Sequence, residues 1–318
     1  MSILVAGLDG GQSSTSAAIA DDAGRILGRG NGPPADLVGE HRDSVRRRGA
    51  IAQALGAAAS AAALSPAARL AAVVIGLSGH DGDPQHVPEF APFADAVVVV
   101  HDSVIAHAGA FRGDAGIIVL AGTGSVALGN ATHDGPYVRA GGWGYFFGDG
   151  GSALAIAREA IACAMRDADR GEPSQLQEAA LHFFGVADLR EIQHAFAHGE
   201  LTRPALANFA ERAIAMAPDE ELAMPTQASQ LRNAAAHALA ELARVVDGRL
   251  PATPSRRISH AGGVFRNEGL LRGFRVAVEQ KVEDAVLVDP AGSPIDGALL
   301  LARRLAQDEP VAKWASVG

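Results

Sequence analysis

The sequence predicts an α/β protein of two domains built on mixed sheets, and three observations predict it. At 318 residues the chain exceeds what a single core usually holds, since domains run to roughly 100–200 residues. A strand meander near the amino terminus is repeated in the middle of the chain. After each copy, strands alternate with helices, the pattern of sheets that pair in parallel.

The first meander reads as strands 3–8, 15–20 and 25–30, joined by DGGQSS and by DDAG at Asp21 to Gly24. Asp and Gly accept the dihedrals of tight reversals. The second, from Gly116 to Gly141, repeats strand, GTGS, strand, THDG, strand. A repeat of that order points to internal duplication. Between the copies lie an Ala-rich helix over 40–64, a strand over 71–77 and a strand over 96–100, followed by a helix over 104–111. Val97, Val98, Val99 and Val100 run together and end in His101 and Asp102, as expected of a parallel strand buried on both faces. Beyond the second meander the pattern predicts a helix over 152–167, a helical region over 175–247, a strand over 257–260, a helix from 267, a strand over 285–288 and a last helix over 295–305. The turn chemistry of DPAGSP, Asp289 to Pro294, leads into that helix.

Composition removes several classes of function. The net charge is -9 at pH 7, and no long basic run exists, which argues against nucleic-acid and polybasic membrane surfaces. The cluster Arg42, Arg46, Arg47, Arg48 reads as a solvated helix face. The 27 basic residues include only two lysines, Lys281 and Lys313. Neither has the context of a Walker A loop or a protein-kinase strand lysine, so phosphates would be held by backbone amides and metal. Cys163, the single cysteine, excludes zinc ribbons, iron–sulfur sites and internal disulfides, and its apolar context reads as a buried inert thiol. The amino terminus lacks a basic leader pattern and no apolar run reaches the ~18 residues of a membrane span; a cytoplasmic protein is expected.

Five segments hold the candidate chemistry. Asp9 opens Gly10, Gly11, Gln12, Ser13, Ser14 and Thr15. Backbone amides at such a turn approach a phosphate, the hydroxyls of Ser13 and Thr15 add donors, and a carboxylate at its start suits Mg²⁺; a capped hairpin is the plain alternative. Gly122, Thr123, Gly124 and Ser125 repeat the arrangement. With Ala127 they also satisfy G-x-G-x-x-A, but that dinucleotide fingerprint needs a following helix and an acid about 20 residues on, and VALGNATHDG reads as strand and turn. Asp102 ends a buried strand, where α/β sheets place ligands, and is either a general base or the cap of the next helix. In GGWGYFFGDGGS, Gly141 to Ser152, six glycines surround Trp143, Tyr145, Phe146, Phe147 and Asp149, a backbone shaped around a ligand, while Ser152 suits a helix cap. In HAGGVFRN, Gly262 and Gly263 permit close approach of a flat ring or phosphate. No G-x-S-x-G elbow occurs at GLSGH and no H-E-x-x-H among the eleven histidines.

The order and spacing of DGGQSST, Asp102, AGTGS, GGWGYFFGDGGS and HAGGVF resemble the N-acetylglucosamine kinase group of the BadF/BadG-type ATPases, within the actin, Hsp70 and sugar-kinase superfamily. The resemblance covers nearly the whole chain. It implies two ribonuclease-H-like domains with mixed sheets around a central cleft: residues 1–112 joined by the last helix at 294–308, and residues 113–293. It implies ATP-dependent phosphorylation of the 6-hydroxyl of N-acetylglucosamine or glucosamine, and a homodimer. On that resemblance Asp9 positions Mg²⁺, the turns Gly10 to Thr15 and Gly122 to Ser125 hold the phosphates, and Gly262 and Gly263 sit by the adenosine. Asp102 is the base, and Ser78, Gly79, Trp143, Gly144 and Asp149 line the sugar pocket. Cys163 alone supplies neither the zinc site of repressor-type sugar kinases nor the cluster of the dehydratase activators. Two departures stand out. Gln12 replaces a glycine of the usual DGGGT, and Asp36 stands nearest the place of an asparagine that contacts sugar hydroxyls, a change that favours a free ammonium such as glucosamine's. These departures also admit an alternative, a nucleotide- and sugar-binding sensor without turnover.

Overall fold

The structure is a computed structural model that describes residues 3–35, 45–80, 83–133, 135–218 and 225–314. Its first meander is β1 (Leu4–Gly10), β2 (Thr15–Asp21) and β3 (Ile26–Gly32), followed by α1 (Val45–Ala61), β4 (Leu70–Leu77), the two-residue β5 (Gln85–His86), β6 (Ala94–His101) and α2 (Asp102–Phe111). The second meander is β7 (Gly116–Ala121), β8 (Ser125–Asn130) and β9 (Val138–Gly141). Helices α3 (Ala153–Arg170), α4 (Gln175–Phe184), α5 (Leu189–Ala197), α6 (Arg203–Ala207), α7 (Phe209–Ala215) and α8 (Gln227–Asp247) come next. The chain then runs through β10 (Arg256–Ala261), α9 (Glu268–Lys281), β11 (Ala285–Leu287) and α10 (Pro294–Leu305).

The two sheets repeat one topology. The first has the order β3-β2-β1-β4-β6-β5 and the second β11-β10-β7-β8-β9. In each, the meander strands pair antiparallel, β4 or β10 joins the first of them in parallel, and β6 or β11 adds in parallel beyond it. The duplication expected from the glycine and acid turns is therefore present as β1-β2-β3-β4-β6 and β7-β8-β9-β10-β11. β5, an antiparallel addition at the edge of β6, is too short to leave a periodic signal.

Alternation along the strands assigns the layers. Val97 and Val99 of β6 join Ala6, Leu8, Val73, Ile75 and the inner face of α1, while Val98 and Val100 join Val5, Ala72 and Val74 against α2 and α10. Ile118 and Leu128 of the second sheet reach the same middle layer. Ile117, Val119 and Ala127 face the other way, onto α3, α8 and α9. The order is α1, first sheet, α2 with α10, second sheet, outer helices. So α10 follows the second sheet in sequence yet packs on α2, β1 and β4. A capping box starts it: Ser293 Oγ accepts from Asp296 N–H, the Asp296 carboxylate accepts from Ser293 N–H, and Pro294 opens the first turn.

Two expectations are corrected. Arg47 is not a solvated residue of the arginine cluster; it is buried, at 6% exposure, on the same stripe of α1 as Ala50, Ile51 and Ala54, with its Nε donating to Ala35 O at 3.0 Å. Cys163 is half-buried rather than enclosed, 3.0 Å from Arg166 Nη2, and burial raises its thiol pKa. No helix among the described residues is long and apolar enough to cross a membrane.

Backbones of α2 and α10 touch. A Cβ on Gly297 would lie 2.0 Å from Ile105 O, and one on Gly109 would lie 2.1 Å from Ser293 O. Gly297→Ala should therefore cost about 1–3 kcal/mol of unfolding free energy. Gly56→Ala, on the open side of α1 with nothing within 4 Å, should add about 0.5–1 kcal/mol. Denaturant titration of the two variants checks both signs.

Candidate active site

Parallel pairing brings the first sheet's carboxylates together. β1, β4 and β6 run side by side, with Asp9 opposite Gly76 and Leu77 opposite His101. Asp9 at the end of β1 and Asp102 at the start of α2 thus meet at one sheet edge, the carboxyl end where such sheets bind ligands. The glycine turns close in the same way, Gly11 N–H donating to Ser14 O at 3.0 Å and Gly122 N–H to Gly124 O at 3.0 Å. Both turns open onto one cavity of about 580 Å³.

Its walls contain most of the predicted residues. Asp9, Gly11, Gln12, Ser13, Gly79 and Asp102 come from the first sheet's side, and Gly122, Thr123, Gly124, Ser125, Gly144, Asp149 and Gly262 from the second. Five others are not brought to it. Thr15 is fully buried and its hydroxyl donates to Pro33 O at 2.7 Å. Gly10 packs beneath Leu77, with its carbonyl accepting from Ser78 N–H at 3.1 Å. Ser78 and Gly263 stand outside the walls, and Trp143 is 78% exposed. Asp36 lies outside the described residues.

Asp102 is not the helix cap. That role falls to His101, whose Nδ1 accepts from Ser103 N–H at 3.1 Å and lies 2.7 Å from Ser103 Oγ. The same Nδ1 is 2.9 Å from Asp102 Oδ1, an oxygen closed off from solvent. Burial works to raise the Asp102 pKa; His101, the Ser103 N–H and the charge of Arg139 outweigh it, so the carboxyl titrates below its ordinary value. A carboxylate in the first turn of a helix also gains from the helix dipole. Asp9 shifts the other way: burial first, and then the Asp102 charge, push it up to about 7.

Asp149 adopts a left-handed φ of 62° and lies over the second glycine turn, its Oδ1 accepting from Ser125 N–H at 3.4 Å. Its Oδ2 would be 3.0 Å from a Cβ on Gly124. Burial raises its pKa, against the Ser125 N–H and the charge of Arg203. At Gly262, with φ of 104°, a Cβ would fall 2.3 Å from Ala121 O, so only glycine lets this strand end close on the second turn.

Two cations in the walls, Arg47 and Arg203, escaped the sequence reading. Arg47 had a signal, its i, i+3, i+4 spacing to Ala50 and Ile51. For Arg203 the only cue was Thr-Arg-Pro, a cap and a first-turn proline within a region read simply as helical.

The donors present suit a magnesium nucleotide. A Cβ on Gly122 would meet nothing within 4 Å, which leaves room for phosphate against the turn. The buried Asp9 and Asp102 repel one another, and a divalent cation relieves that. Mg²⁺ is commonly held by one or two carboxylates with water and substrate phosphates, and Asp9 and Asp102 are such carboxylates in the cavity wall.

A family model described as the BadF/BadG/BcrA/BcrD ATPase family matches residues 6–302. The chain belongs to that family. It is 28% identical over 212 residues to an N-acetylmuramic acid/N-acetylglucosamine kinase of Clostridium acetobutylicum, covering 64% of this chain and 67% of that protein. Among solved structures, a protein of Chromobacterium violaceum provisionally designated an N-acetylglucosamine kinase aligns with a TM-score of 0.74 at 26% identity, over 94% of this chain and 99% of the other. A ROK family glucokinase of Streptomyces griseus, solved with glucose and AMPPNP, shares the fold at a TM-score of 0.54 and 20% identity, over 96% and 99% of the two chains.

The Asp9 shift sets a pH window. Its carboxyl titrates at about 7 in the fold against an ordinary 3.8, so its contribution to stability is complete below 3.8 and is lost as pH rises through 7. Without metal the protein should melt at falling temperatures across that window, and Asp9→Asn should flatten the fall. Added Mg²⁺ should raise the wild-type melting temperature most above pH 7 and leave Asp9→Asn nearly unmoved. Thermal melts at several pH values, with and without Mg²⁺, read all three.

Proposed function

We propose that this protein is an ATP-dependent sugar kinase that phosphorylates the 6-hydroxyl of an amino sugar, N-acetylglucosamine or glucosamine, with Asp102 as general base. The observation that carries the reading is the Asp102 carboxylate: it stands in the cavity wall with its side chain 25% exposed, its Oδ1 turned inward 2.9 Å from His101 Nδ1, on a group held ionised. A sugar hydroxyl in the cavity would donate to the accessible side of this carboxylate. The names of the Clostridium and Chromobacterium relatives support an amino sugar as acceptor.

Phosphoryl transfer asks a protein for positioning and charge stabilisation more than for covalent chemistry. The amides of the turns at Gly11 to Ser13 and Gly122 to Ser125 would cradle the phosphates, Gly262 would face the nucleoside, and Gly79 and Gly144 would border the sugar. Asp102 would take the hydroxyl proton as the new bond forms. Asp9 would hold Mg²⁺, which when bound neutralises phosphate charge. The reading divides the chain into residues 1–112 with 294–308 and residues 113–293; the packing of α10 on the first sheet supports it. Closure of the two parts would exclude water, a competing acceptor.

Release of ADP from Mg-ATP is the test, across N-acetylglucosamine, glucosamine, N-acetylmuramic acid, N-acetylmannosamine, glucose and no sugar. Turnover that depends on one of the first two is expected, and preference for glucosamine would assign Asp36 a part in selectivity. Silence across the panel from folded, ATP-binding protein would sink the reading. Asp102→Asn should lower kcat by about 10²- to 10⁴-fold while calorimetry still detects the sugar. Near-normal turnover would reduce Asp102 to a first-turn helix residue.

A further inference from the structure

Arg203 is the first residue of α6, held there by Thr202, whose Oγ1 accepts from Ala205 N–H at 3.3 Å, and by Pro204. Its guanidinium carbon lies 4.9 Å from the centre of the Tyr145 ring. Its Nη2 donates to Gln12 Oε1 at 3.4 Å, across 191 positions of sequence. One side chain therefore leaves α6, lies against the Tyr145 ring, and reaches the first sheet's glycine turn in the wall of the cavity. Its charge is also felt by Asp149, which lies over the second turn.

We propose that Arg203 is a clamp for the terminal phosphoryl group of a nucleoside triphosphate, and that Gln12 is the place where its guanidinium rests when that group is absent. The inference builds on the nucleotide reading of the cavity. Three observations carry it. The walls present Asp9, Asp102 and Asp149, so a triphosphate adds negative charge to a site already rich in it. The lysines cannot help: Lys281 pairs with Glu241 at 3.2 Å, and Lys313 borders a separate small pocket behind α10. The Tyr145 ring beneath the guanidinium holds a planar fork at the cavity wall, and such a fork matches phosphate oxygens bidentately. The Gln12 contact, longer than the usual 2.7–3.2 Å and made to a neutral acceptor, is weaker than one to a phosphate oxygen. It also explains how a side chain is accommodated at a turn of glycines: Gln12 is drawn toward Arg203.

The test is calorimetric binding of Mg-AMPPNP and Mg-ADP to the wild-type protein, Arg203→Gln, Arg203→Lys, Gln12→Gly and the Gln12→Gly/Arg203→Gln pair, with melting temperatures as a check on folding. Arg203→Gln should weaken Mg-AMPPNP by about tenfold or more, the worth of a charge-assisted contact, while Mg-ADP changes little. Arg203→Lys keeps the charge and should recover part of the loss; it serves as the test variant if Arg203→Gln fails to fold. Gln12→Gly should tighten Mg-AMPPNP when Arg203 is present and have no effect when it is not. Equal losses for both nucleotides, no loss for either, or a Gln12→Gly effect independent of Arg203 would overturn the clamp. A wild-type protein that binds neither nucleotide would overturn the nucleotide reading itself, an outcome distinct from binding without discrimination.

Discussion

The backbone contact between α2 and α10 is the constraint on which the molecule turns. Glycines at Gly109 and Gly297 let the two helices approach until carbonyl oxygens occupy the space side chains would need. This crossing fills the layer between the two sheets, where Val98, Val100 and Ile118 meet it from opposite sides. It also draws the last helix of the chain back to the first sheet. Because α2 begins at Asp102, any slip in the crossing would move the carboxylate at its amino end. The packing of the middle layer and the position of the Asp102 carboxylate are thus one requirement, met by residues with no side chain at all.

At the end of that helix, two aspartates of similar depth are driven apart in acidity. Asp102 has a histidine and an N–H beside it and stays ionised, whereas Asp9 has burial and the Asp102 charge and is pushed up to about 7. A pair separated in this way assigns its own roles. The ionised member can accept a proton, and the raised member is the one that a cation would stabilise most. His101 caps α2 with its own ring, so Asp102 is not used as the cap and its carboxylate stands in the cavity wall.

Most of the fold was readable, because strand alternation, turn residues and caps are local. The two meanders, the valine strand and the capped last helix all follow from spacing and turn chemistry, and the repeat of acid and glycine turns correctly pointed to duplicate sheets. What local pattern does not carry is side-chain direction at a turn. Ser13 and Thr15 look equivalent in DGGQSST, yet strand pairing turns Thr15 inward to Pro33 and leaves Ser13 on the cavity. Likewise Asp102 reads as a possible helix cap in the sequence, and the structure gives that place to His101. Trp143 reads as a pocket aromatic because of its glycines; in the structure it stands between the left-handed Gly142 and Gly144 and is 78% exposed. Arg203 was beyond reach, since its meaning rests on a partner 191 residues away.

The scarcity of lysine acquires a physical sense in this setting. A lysine placed among the partly buried groups of the cavity would tend to lose its proton, because desolvation penalises the ammonium. Guanidinium keeps its charge under the same burial and fits planar neighbours. Arg47 shows how this is built: its position on the apolar stripe of α1 forces the side chain inward, and the Ala35 carbonyl fixes its Nε. Arg203 is set by a helix cap and a ring face instead. Both cations come from helices outside the central sheet strands, one on each side of the cavity, while the acids stand at strand ends and the glycine-rich segment of the second meander. Negative groups are thereby fixed by the sheets, and positive groups are delivered by the elements around them, so a phosphate chain lying between the glycine turns meets charge of both signs in separate places.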